Sequence, residues 1–166
     1  MKSTLFSVVI LFASIGCSKA QKTEFTPESL KQELLTSDQN KIPFADALQK
    51  EKGKTLVIEV WASWCGDCVK AMPQLKKLQE SHPEANYMFI SMDKVTDKWL
   101  EGIKKHDLKG SHYFAPGGMK GAFGASIDLD WIPRYIIIDK FGKIVTYRAI
   151  EKDFEAMDQT LNKLKS

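Results

Sequence analysis

Cysteine and histidine are scarce in this sequence, with three of each among 166 residues, and their scarcity excludes two common kinds of metal site. A structural zinc site usually takes four nitrogen or sulfur ligands from two paired clusters, and here only Cys65 and Cys68 form a close pair. Covalent haem attachment requires a histidine directly after the second cysteine, and that position holds Val69. We therefore predict no metal site, and we interpret the three histidines as surface or internally bonded side chains: His82, His106 and His112.

Long runs of one charge are also missing, and the net charge of +3 is spread along the chain. Because nucleic-acid binding usually shows as clustered lysine and arginine, we predict no nucleic-acid partner. The glycines between Gly117 and Gly124 lack the Gly-Lys-Ser/Thr ending of a phosphate-binding loop, so we interpret them as a connection and predict no cofactor. With 43% hydrophobic and 27% charged residues, the chain has the composition and length of one globular domain.

The N-terminus, residues 1–17, combines Lys2 with an apolar run, LFSVVILFASIG, that is too short to span a bilayer. The run ends at Gly16-Cys17 and resembles a bacterial lipoprotein signal, although Ser14 stands where that signal usually has leucine. The resemblance implies that Cys17 becomes lipid-modified and tethers the protein to a membrane. An ordinary cleaved signal peptide with an incidental cysteine is the alternative. Either way, we expect the mature protein outside the cytoplasm, in the cell envelope.

Apolar patterns further along predict a tether with one short helix, followed by a single α/β domain. Residues 18–40 are polar apart from an apolar stripe of Leu30, Leu34 and Leu35, which predicts the helix. From residue 41 to 166 the pattern predicts a short helix, a buried strand (TLVIEVW), a helix, a second buried strand (ANYMFISM), a helix, a hairpin (RYIIID and KIVTYRA) and a last helix. Parallel crossover units followed by an antiparallel hairpin give a central mixed β-sheet flanked by helices.

The close pair of cysteines begins the long helix that follows the first buried strand. At the first turn of a helix, unsatisfied N–H groups and the positive end of the helix dipole favour a thiolate, and such settings lower a cysteine pKa from ~8.5 into the range ~3.5–7.5. We therefore expect Cys65 to attack substrate disulfides and the more buried Cys68 to resolve the mixed disulfide. Gly66 is expected to allow a tight turn that leaves Cys65 open, and Trp64 is expected to line the rim of the site.

The segment EVWASWCGDC resembles the strand-to-helix segment of the thioredoxin fold. Glu59 stands where thioredoxins have aspartate, Asp67 stands where they have proline, and Trp64 matches the tryptophan before the attacking cysteine. Pro73 matches the proline within the following helix. The resemblance implies a thioredoxin-like fold with a redox-active disulfide between the two cysteines.

A second stretch, WIPRYIIID, resembles the strand that opens with a cis-proline facing the active site in the same fold. The resemblance implies a cis bond between Ile132 and Pro133, with the backbone beside it pairing with an extended substrate segment. Arg134 stands where thioredoxins usually have threonine, so no substrate preference is transferred. The N-terminal anchor and the long insertion between the second buried strand and this strand resemble the envelope branch of the fold, the TlpA-like thiol-disulfide proteins.

Glu59 interrupts an otherwise apolar strand, LVIEVW, and a buried carboxylate is costly unless it is paired or protonated. Our hypothesis places Glu59 beneath Cys68 with a raised pKa, so that it exchanges its proton as Cys68 attacks the mixed disulfide. An acid at a water-filled end of the strand is the alternative. Together, Glu59 and Asp67 disfavour the very stable thiolate that a strong oxidant requires.

These features predict a thiol-disulfide reductase of the cell envelope, which acts on disulfides of exported proteins and is kept reduced by a membrane-bound thiol electron donor. A disulfide oxidase or isomerase is the nearest alternative. A lipoprotein that holds copper or a client through Cys65 and Cys68, without turnover, is a third interpretation, because copper(I) binds paired thiolates and Met72 lies within helical reach. A metal carrier, however, has no evident use for Glu59 or Pro133.

Overall fold

The computed structural model describes residues 21–165, and one β-sheet of seven strands forms the centre of the fold. The strands are β1 (Glu33–Thr36), β2 (Lys41–Pro43), β3 (Leu56–Trp61), β4 (Asn86–Ser91), β5 (Ser111–Phe114), β6 (Arg134–Ile138) and β7 (Ile144–Ala149). The helices are α1 (Pro27–Leu30), α2 (Phe44–Gln49), α3 (Gly66–Ser81), α4 (Thr96–His106), α5 (Ala122–Ser126) and α6 (Phe154–Leu164). A 3-10 turn, Gly118–Lys120, precedes α5.

The sheet is mixed, and its strands lie in the order β2-β1-β5-β4-β3-β6-β7. The three strands β3, β4 and β5 are parallel to one another, whereas β6 pairs antiparallel with both β3 and β7. At the other edge, β1 pairs antiparallel with β2 and β5. This topology confirms the α/β class and the mixed, helix-flanked sheet predicted from the sequence. The predicted insertion consists of α4, β5 and α5, between β4 and β6.

The strand β3 lies between β4 and β6, and all six of its residues are buried. A continuous run of branched and aromatic side chains suits this position, because both faces of the strand are covered. The five residues of β6 are likewise all buried. Each Å² of apolar surface removed from water contributes about 25 cal/mol, so the burial of these two strands stabilises the centre of the sheet.

One face of the sheet is covered by α3 and α6. The Tyr87 hydroxyl, on β4, donates a hydrogen bond to the Leu78 carbonyl in α3 over 3.2 Å. On β6, Tyr135 packs against Phe154 of α6, with ring centroids 5.3 Å apart. Because Glu59 is the register partner of Tyr135, the Glu59 side chain lies on this same face, under the helix that carries the cysteines.

The short helices α1, α2 and α5 cover the opposite face. The Phe44 ring, at the start of α2, packs edge to face against Phe123 of α5 at 5.0 Å and against Phe25 at 4.9 Å. A cavity near these rings is lined by Phe25 together with Leu56 of β3 and Ile138 of β6. Since Leu56 and Glu59 lie an odd number of residues apart on one strand, their side chains point to opposite faces, and the sheet is therefore covered on both sides.

The first edge of the sheet differs from the sequence prediction. For residues 18–40 the sequence predicts a tether and a helical stripe of leucines, but α1 ends at Leu30 and the strand β1 follows it. Within β1, Leu34 is fully buried. The turn into β2 contains Gln39 in the left-handed region (φ 65°), which reverses the chain as a hairpin. The predicted short helix is present as α1, but the strand β1 follows it, so the folded domain begins before residue 41.

The predicted signal peptide and its terminal Cys17 lie outside the described residues. The first described segment already contacts the sheet, because the carbonyl of Thr23 accepts a hydrogen bond from the N–H of Ile144 in β7 over 2.8 Å. Between residues 21 and 165, no helix combines the length and the apolar character needed to cross a membrane.

Candidate redox site

The carboxyl ends of β3 and β4 meet the beginning of β6 at one edge of the sheet, because β6 runs antiparallel to β3. This edge is where α/β sheets commonly place their ligands. The loop 62–65 leaves β3 there and enters α3, and Pro133 directly precedes β6. The sheet therefore brings together Cys65 and Ile132, which lie 67 residues apart in sequence.

Cys65 and Cys68 form a disulfide, and their Cα atoms lie 5.3 Å apart. Cys65 is the N-cap residue of α3, and Cys68 lies within its first turn. The Cys68 residue is fully buried, whereas Cys65 keeps 6% of its surface exposed. The sulfur that another molecule can approach is that of Cys65, which agrees with its predicted role as the attacking cysteine.

The start of α3 supplies a hydrogen-bond donor to the Cys65 sulfur. The backbone N–H of Cys68 donates to Cys65 Sγ over 3.1 Å, and a helix start carries further unsatisfied N–H groups and positive potential. After reduction, the same environment would stabilise a Cys65 thiolate. Asp67 lies in this turn too, but 43% of its side chain is exposed and its carboxylate is 3.7 Å from Lys70 Nζ. Solvent and this cation screen the charge of Asp67.

The peptide bond between Ile132 and Pro133 is cis, as the resemblance implied. Both residues are buried, and the Ile132 carbonyl oxygen lies 3.5 Å from Cys65 Sγ. A backbone acceptor thus stands directly beside the sulfur that a substrate would reach. The predicted substrate-binding residues Ile132 and Pro133 are therefore next to the disulfide in space, although their role toward a substrate stays a prediction.

Two tryptophans flank these contacts in the sequence, and both are exposed. Trp64 precedes Cys65 and is 57% exposed, and Trp131 precedes Ile132 and is 49% exposed. Each exposed tryptophan is thus the chain neighbour of one of the two residues in contact at the disulfide, Cys65 and Ile132. The exposure of Trp64 agrees with a rim position, which stays a prediction, and the sequence did not indicate Trp131.

Gly66 is the first residue of α3, and it is not among the glycines that have a positive φ value. The structure therefore shows no left-handed conformation that would require glycine at this position. A Cβ atom at this position would meet no atom within 4 Å. This open space supports the second part of the prediction, an approach to Cys65 that Gly66 keeps open, which stays a prediction.

Glu59 is 1% exposed in the middle of β3, so it does not lie at a water-filled strand end. The Tyr135 hydroxyl donates a hydrogen bond to Glu59 Oε1 over 3.2 Å, while Oε2 has no hydrogen-bond partner among the described residues. Burial raises the pKa of Glu59 to about 8, and the bond from Tyr135 opposes this rise. At neutral pH the carboxyl is therefore mostly protonated, which is the less costly state for a buried acid.

Two further buried charges lie at this edge, Asp93 after β4 and Arg134 at the start of β6, each 1% exposed. The Asp93 carboxylate accepts hydrogen bonds from Ser63 and Ser91. The Arg134 guanidinium pairs with Asp130. Sequence analysis missed Asp93 and noted Arg134 only as a departure from threonine. Their positions in the sequence could have indicated them. Each is a charged residue at or just beyond the end of a buried strand, at the edge of the sheet that carries the cysteines.

Among the described residues, no group of three or more histidine, cysteine, aspartate or glutamate side chains is arranged to hold a metal ion. His82 is buried, and its Nε2 lies 2.7 Å from Asp158 Oδ1. His112 stacks on Phe89, with ring centroids 5.1 Å apart. His82 and His112 therefore both make contacts within the protein.

A thioredoxin-like sheet with a Cys-x-x-Cys disulfide at a helix start and a cis-proline beside it defines a thiol-disulfide oxidoreductase. Comparison with known proteins agrees with this class. Residues 21–163 match the Redoxin family, and the chain belongs to that family.

Among curated relatives, the chain is 28% identical to thiol-disulfide oxidoreductase ResA of Bacillus cereus over 172 residues, covering 96% of this chain and 95% of the relative. It is 22% identical over 95 residues to sporulation thiol-disulfide oxidoreductase A of Bacillus subtilis, covering 56% of this chain and 58% of the relative. A chain from Bacteroides vulgatus, solved in solution as a candidate thiol-disulfide oxidoreductase, superposes with a TM-score of 0.67 at 28% identity, covering 84% of this chain and 90% of that one.

Proposed function

We propose that this protein is a thiol-disulfide reductase of the cell envelope that reduces disulfides in exported proteins. One arrangement carries this proposal: the reachable Cys65 sulfur at a helix start, with the buried and mostly protonated Glu59 on the sheet face beneath that helix. The helix start favours attack by Cys65, and the buried acid supplies a proton acceptor for the second cysteine.

In the reduced protein, Cys65 is the nucleophile of the first step. Its thiolate attacks one sulfur of a substrate disulfide, so that a new S–S bond joins Cys65 to the substrate while the other substrate sulfur leaves as a thiolate. Cys68 then attacks Cys65 Sγ, which forms the Cys65–Cys68 disulfide of the structure and releases the second substrate thiolate. Two electrons pass from the cysteine pair to the substrate.

Glu59 accepts the proton that Cys68 releases in the second step. The buried Cys68 thiol must lose its proton before it attacks, and an ordinary cysteine pKa of ~8.5 is close to the value of about 8 for Glu59. Proton transfer between groups of matched pKa requires little free energy. At pH 7 the ionised minority of Glu59 carboxyls is able to accept the proton.

The backbone beside Pro133 and the exposed indoles bind the substrate. An extended client segment that carries the disulfide pairs with this backbone in the manner of an added strand. Trp64 and Trp131 add apolar contact area around the sulfur, and Gly66 keeps the approach to Cys65 open. None of these contacts selects one particular amino-acid sequence in the substrate, which suits an enzyme that acts on several proteins.

The buried side of the site favours electron flow toward the substrate. Glu59 and Cys68 are both buried, and burial without a paired cation disfavours the charged form of each group. Cys68 therefore adds no second stabilised thiolate to the reduced centre, and a very stable thiolate is what makes a disulfide catalyst a strong oxidant. Asp67 acts in the same direction, but only weakly, since Lys70 and solvent screen it.

For location, we propose lipid modification of Cys17, which anchors the folded domain to a membrane through residues 18–20. Each buried methylene of an acyl chain contributes ~0.8 kcal/mol, and one chain alone holds a protein only marginally. Lasting attachment therefore requires several chains on the modified cysteine. A thiol electron donor in the same membrane returns two electrons to the Cys65–Cys68 disulfide after each turnover.

A Cys68→Ser variant tests the exchange reaction, because it leaves the mixed disulfide on Cys65 unresolved. We expect envelope proteins to be captured on this variant and to be released by dithiothreitol. The matched control, Cys65→Ser, is expected to capture none. Binding of copper in a one-to-one ratio, without any captured protein, would contradict the proposal and favour a carrier. Alkylation in growing cells checks the direction, since a reductase is expected to be mostly reduced there.

A further inference from the structure

We infer that Asp93 is a positioning residue, which holds the loop before Cys65 in the orientation that lets its sulfur react. The inference rests on the proposed exchange reaction and concerns how the nucleophile of that reaction is held. Asp93 lies two residues beyond the end of β4 and is 1% exposed. Its carboxylate accepts hydrogen bonds from Ser63, which lies in the turn between β3 and α3.

The Asp93 carboxylate collects its hydrogen bonds from two serines. The backbone N–H of Ser63 donates to Oδ1 and Oδ2 over 3.2 and 3.0 Å, and the Ser63 hydroxyl donates to Oδ1 over 2.7 Å. The Ser91 hydroxyl donates to Oδ2 over 2.8 Å, and the Asp93 N–H donates to Ser91 Oγ over 3.0 Å. Hydrogen bonds to an ionised acceptor are roughly twice as strong as neutral ones, so the carboxylate joins the ends of two strands firmly.

Ser63 is the second residue of the turn that delivers Cys65 to the helix start. The turn is closed by the N–H of Cys65, which donates to the Ala62 carbonyl over 3.1 Å. Just before it, the Trp61 carbonyl accepts a hydrogen bond from the N–H of Met92 over 2.7 Å. Asp93 therefore extends the contact between β3 and β4 beyond the sheet and into the turn itself.

The sulfur at the end of this turn has two close neighbours that depend on its position. Cys65 Sγ accepts the N–H of Cys68 at 3.1 Å and lies 3.5 Å from the Ile132 carbonyl oxygen. A displacement of about 1 Å at a reacting centre can cost on the order of a hundredfold in rate. If Ser63 were released, Cys65 would lose its alignment with the helix start and with the backbone that receives the substrate.

The negative charge of Asp93 and its positioning role have opposite effects on the pKa of Cys65, so an experiment can separate them. As a nearby negative charge, Asp93 disfavours the Cys65 thiolate, so removing that charge would lower the pKa of Cys65. As a positioning group, Asp93 keeps the sulfur on the helix N–H groups, so loosening the turn would raise the pKa of Cys65. A neutral change at Ser63 disturbs the position and leaves the charge in place.

The experiment compares Ser63→Ala and Asp93→Asn in the full chain, using insulin as the disulfide substrate and the pH profile of iodoacetamide alkylation of reduced Cys65. We expect Asp93→Asn to slow insulin reduction by about tenfold to a hundredfold. Ser63→Ala loses the hydroxyl bond but keeps the two contacts of the Ser63 backbone N–H, so we expect it to slow the reaction by a smaller factor. In Ser63→Ala the alkylation midpoint is expected to move to higher pH. Ser63→Thr, which retains the hydroxyl, is expected to restore most of the rate.

A matched control is Tyr87→Phe, which removes one buried hydroxyl bond, to Leu78, at the other end of β4. This variant is expected to lower the melting temperature without changing the rate or the alkylation midpoint. A lower melting temperature with unchanged rates in Ser63→Ala and Asp93→Asn would overturn the positioning role. So would a faster Asp93→Asn beside an unchanged Ser63→Ala, since charge alone would then act. Absence of insulin reduction by the unmodified protein would instead overturn the proposed function.

Discussion

Asp67 and Glu59 are the two acids that we relate to the Cys65–Cys68 disulfide, and they differ in almost every physical respect. Asp67 lies between the cysteines in sequence, is 43% exposed and has Lys70 Nζ at 3.7 Å. Glu59 lies six residues before Cys65 in the chain, is 1% exposed, and has one carboxyl oxygen without a hydrogen-bond partner among the described residues. Because Asp67 is nearer to the cysteines in sequence, it would be expected to have the larger effect on them. Burial reverses that expectation in favour of Glu59.

The difference shows that a charge acts on a redox centre through the medium around it. Two unit charges ~4 Å apart interact by about 1 kcal/mol in water and about 4 kcal/mol at an effective dielectric of 20. We therefore expect the exposed acid to adjust the potential slightly, whereas we propose that the buried acid exchanges a proton during the reaction. Changing each acid separately tests this contrast.

The largest effect is expected for Glu59→Gln, which keeps the shape of the side chain and removes its proton exchange. Without an acceptor for the Cys68 proton, resolution of the mixed disulfide is expected to slow by about a hundredfold at pH 7. In the unmodified protein the rate should rise with pH up to about 8, where Glu59 ionises. Rapid-mixing measurements of single turnovers from pH 6 to 9 check both points.

Asp67→Asn serves as the control for that experiment, because it removes the exposed acid and leaves Glu59 in place. Its pH profile is expected to keep the rise toward pH 8. If Glu59→Gln and the unmodified protein reduced disulfides at the same rate across the whole pH range, Glu59 would have no part in the proton transfer.

A second effect is expected on stability, again from Glu59. Its pKa rises from 4.5 to about 8 on folding, so the folded state holds a proton that the unfolded state releases. This contribution is fully present below pH 4.5 and is lost as pH rises to about 8, at ~1.4 kcal/mol for each pH unit. Urea unfolding of the oxidised protein should show a loss of a few kcal/mol over this window.

The same measurement on Glu59→Gln supplies the comparison, since glutamine carries no proton to release. Its free energy of unfolding is expected to vary less between pH 5 and 8, so that the variant gains relative to the unmodified protein as pH rises. Parallel curves for the two proteins would show that Glu59 is ionised in the folded state already at low pH.

The smallest effect is expected for Asp67→Asn. Exposed ion pairs contribute up to about 1 kcal/mol, and 30 mV corresponds to ~1.4 kcal/mol for a two-electron couple. The reduction potential should therefore become less negative by at most about 20 mV. Lys70→Gln, which removes the screening cation, should move the potential in the opposite direction. A shift of ~60 mV or more in Asp67→Asn would mean that exposure does not weaken this acid.

The sequence was sufficient for the central strands and the cysteine helix because each carries a strong local signal. The β3 run is apolar on both faces, and the single acid within it indicated Glu59 as a buried group with a function. The helix start at Cys65 followed from the chemistry of its first turn. These features depend on neighbours in the chain, which is why they could be predicted without coordinates.

The edge hairpin and the Asp93 contacts could not be predicted because they depend on residues far apart in sequence. Leu34 fits a helical stripe as well as a buried strand position, and only pairing with β5 decides between them. Asp93 and Ser63 are polar residues in loops, 30 positions apart, and they meet only because β3 and β4 are adjacent and parallel. Patterns along the chain do not record which strands become neighbours.

The reduction potential of the Cys65–Cys68 couple tests the reductase assignment most directly. Thioredoxin has a potential of about −270 mV, and the strong oxidant DsbA has one of about −120 mV. Equilibration of the purified protein with glutathione or dithiothreitol buffers gives this value for the unmodified chain. We predict a potential below about −200 mV. A value near that of DsbA would contradict the assignment and make the protein an oxidase.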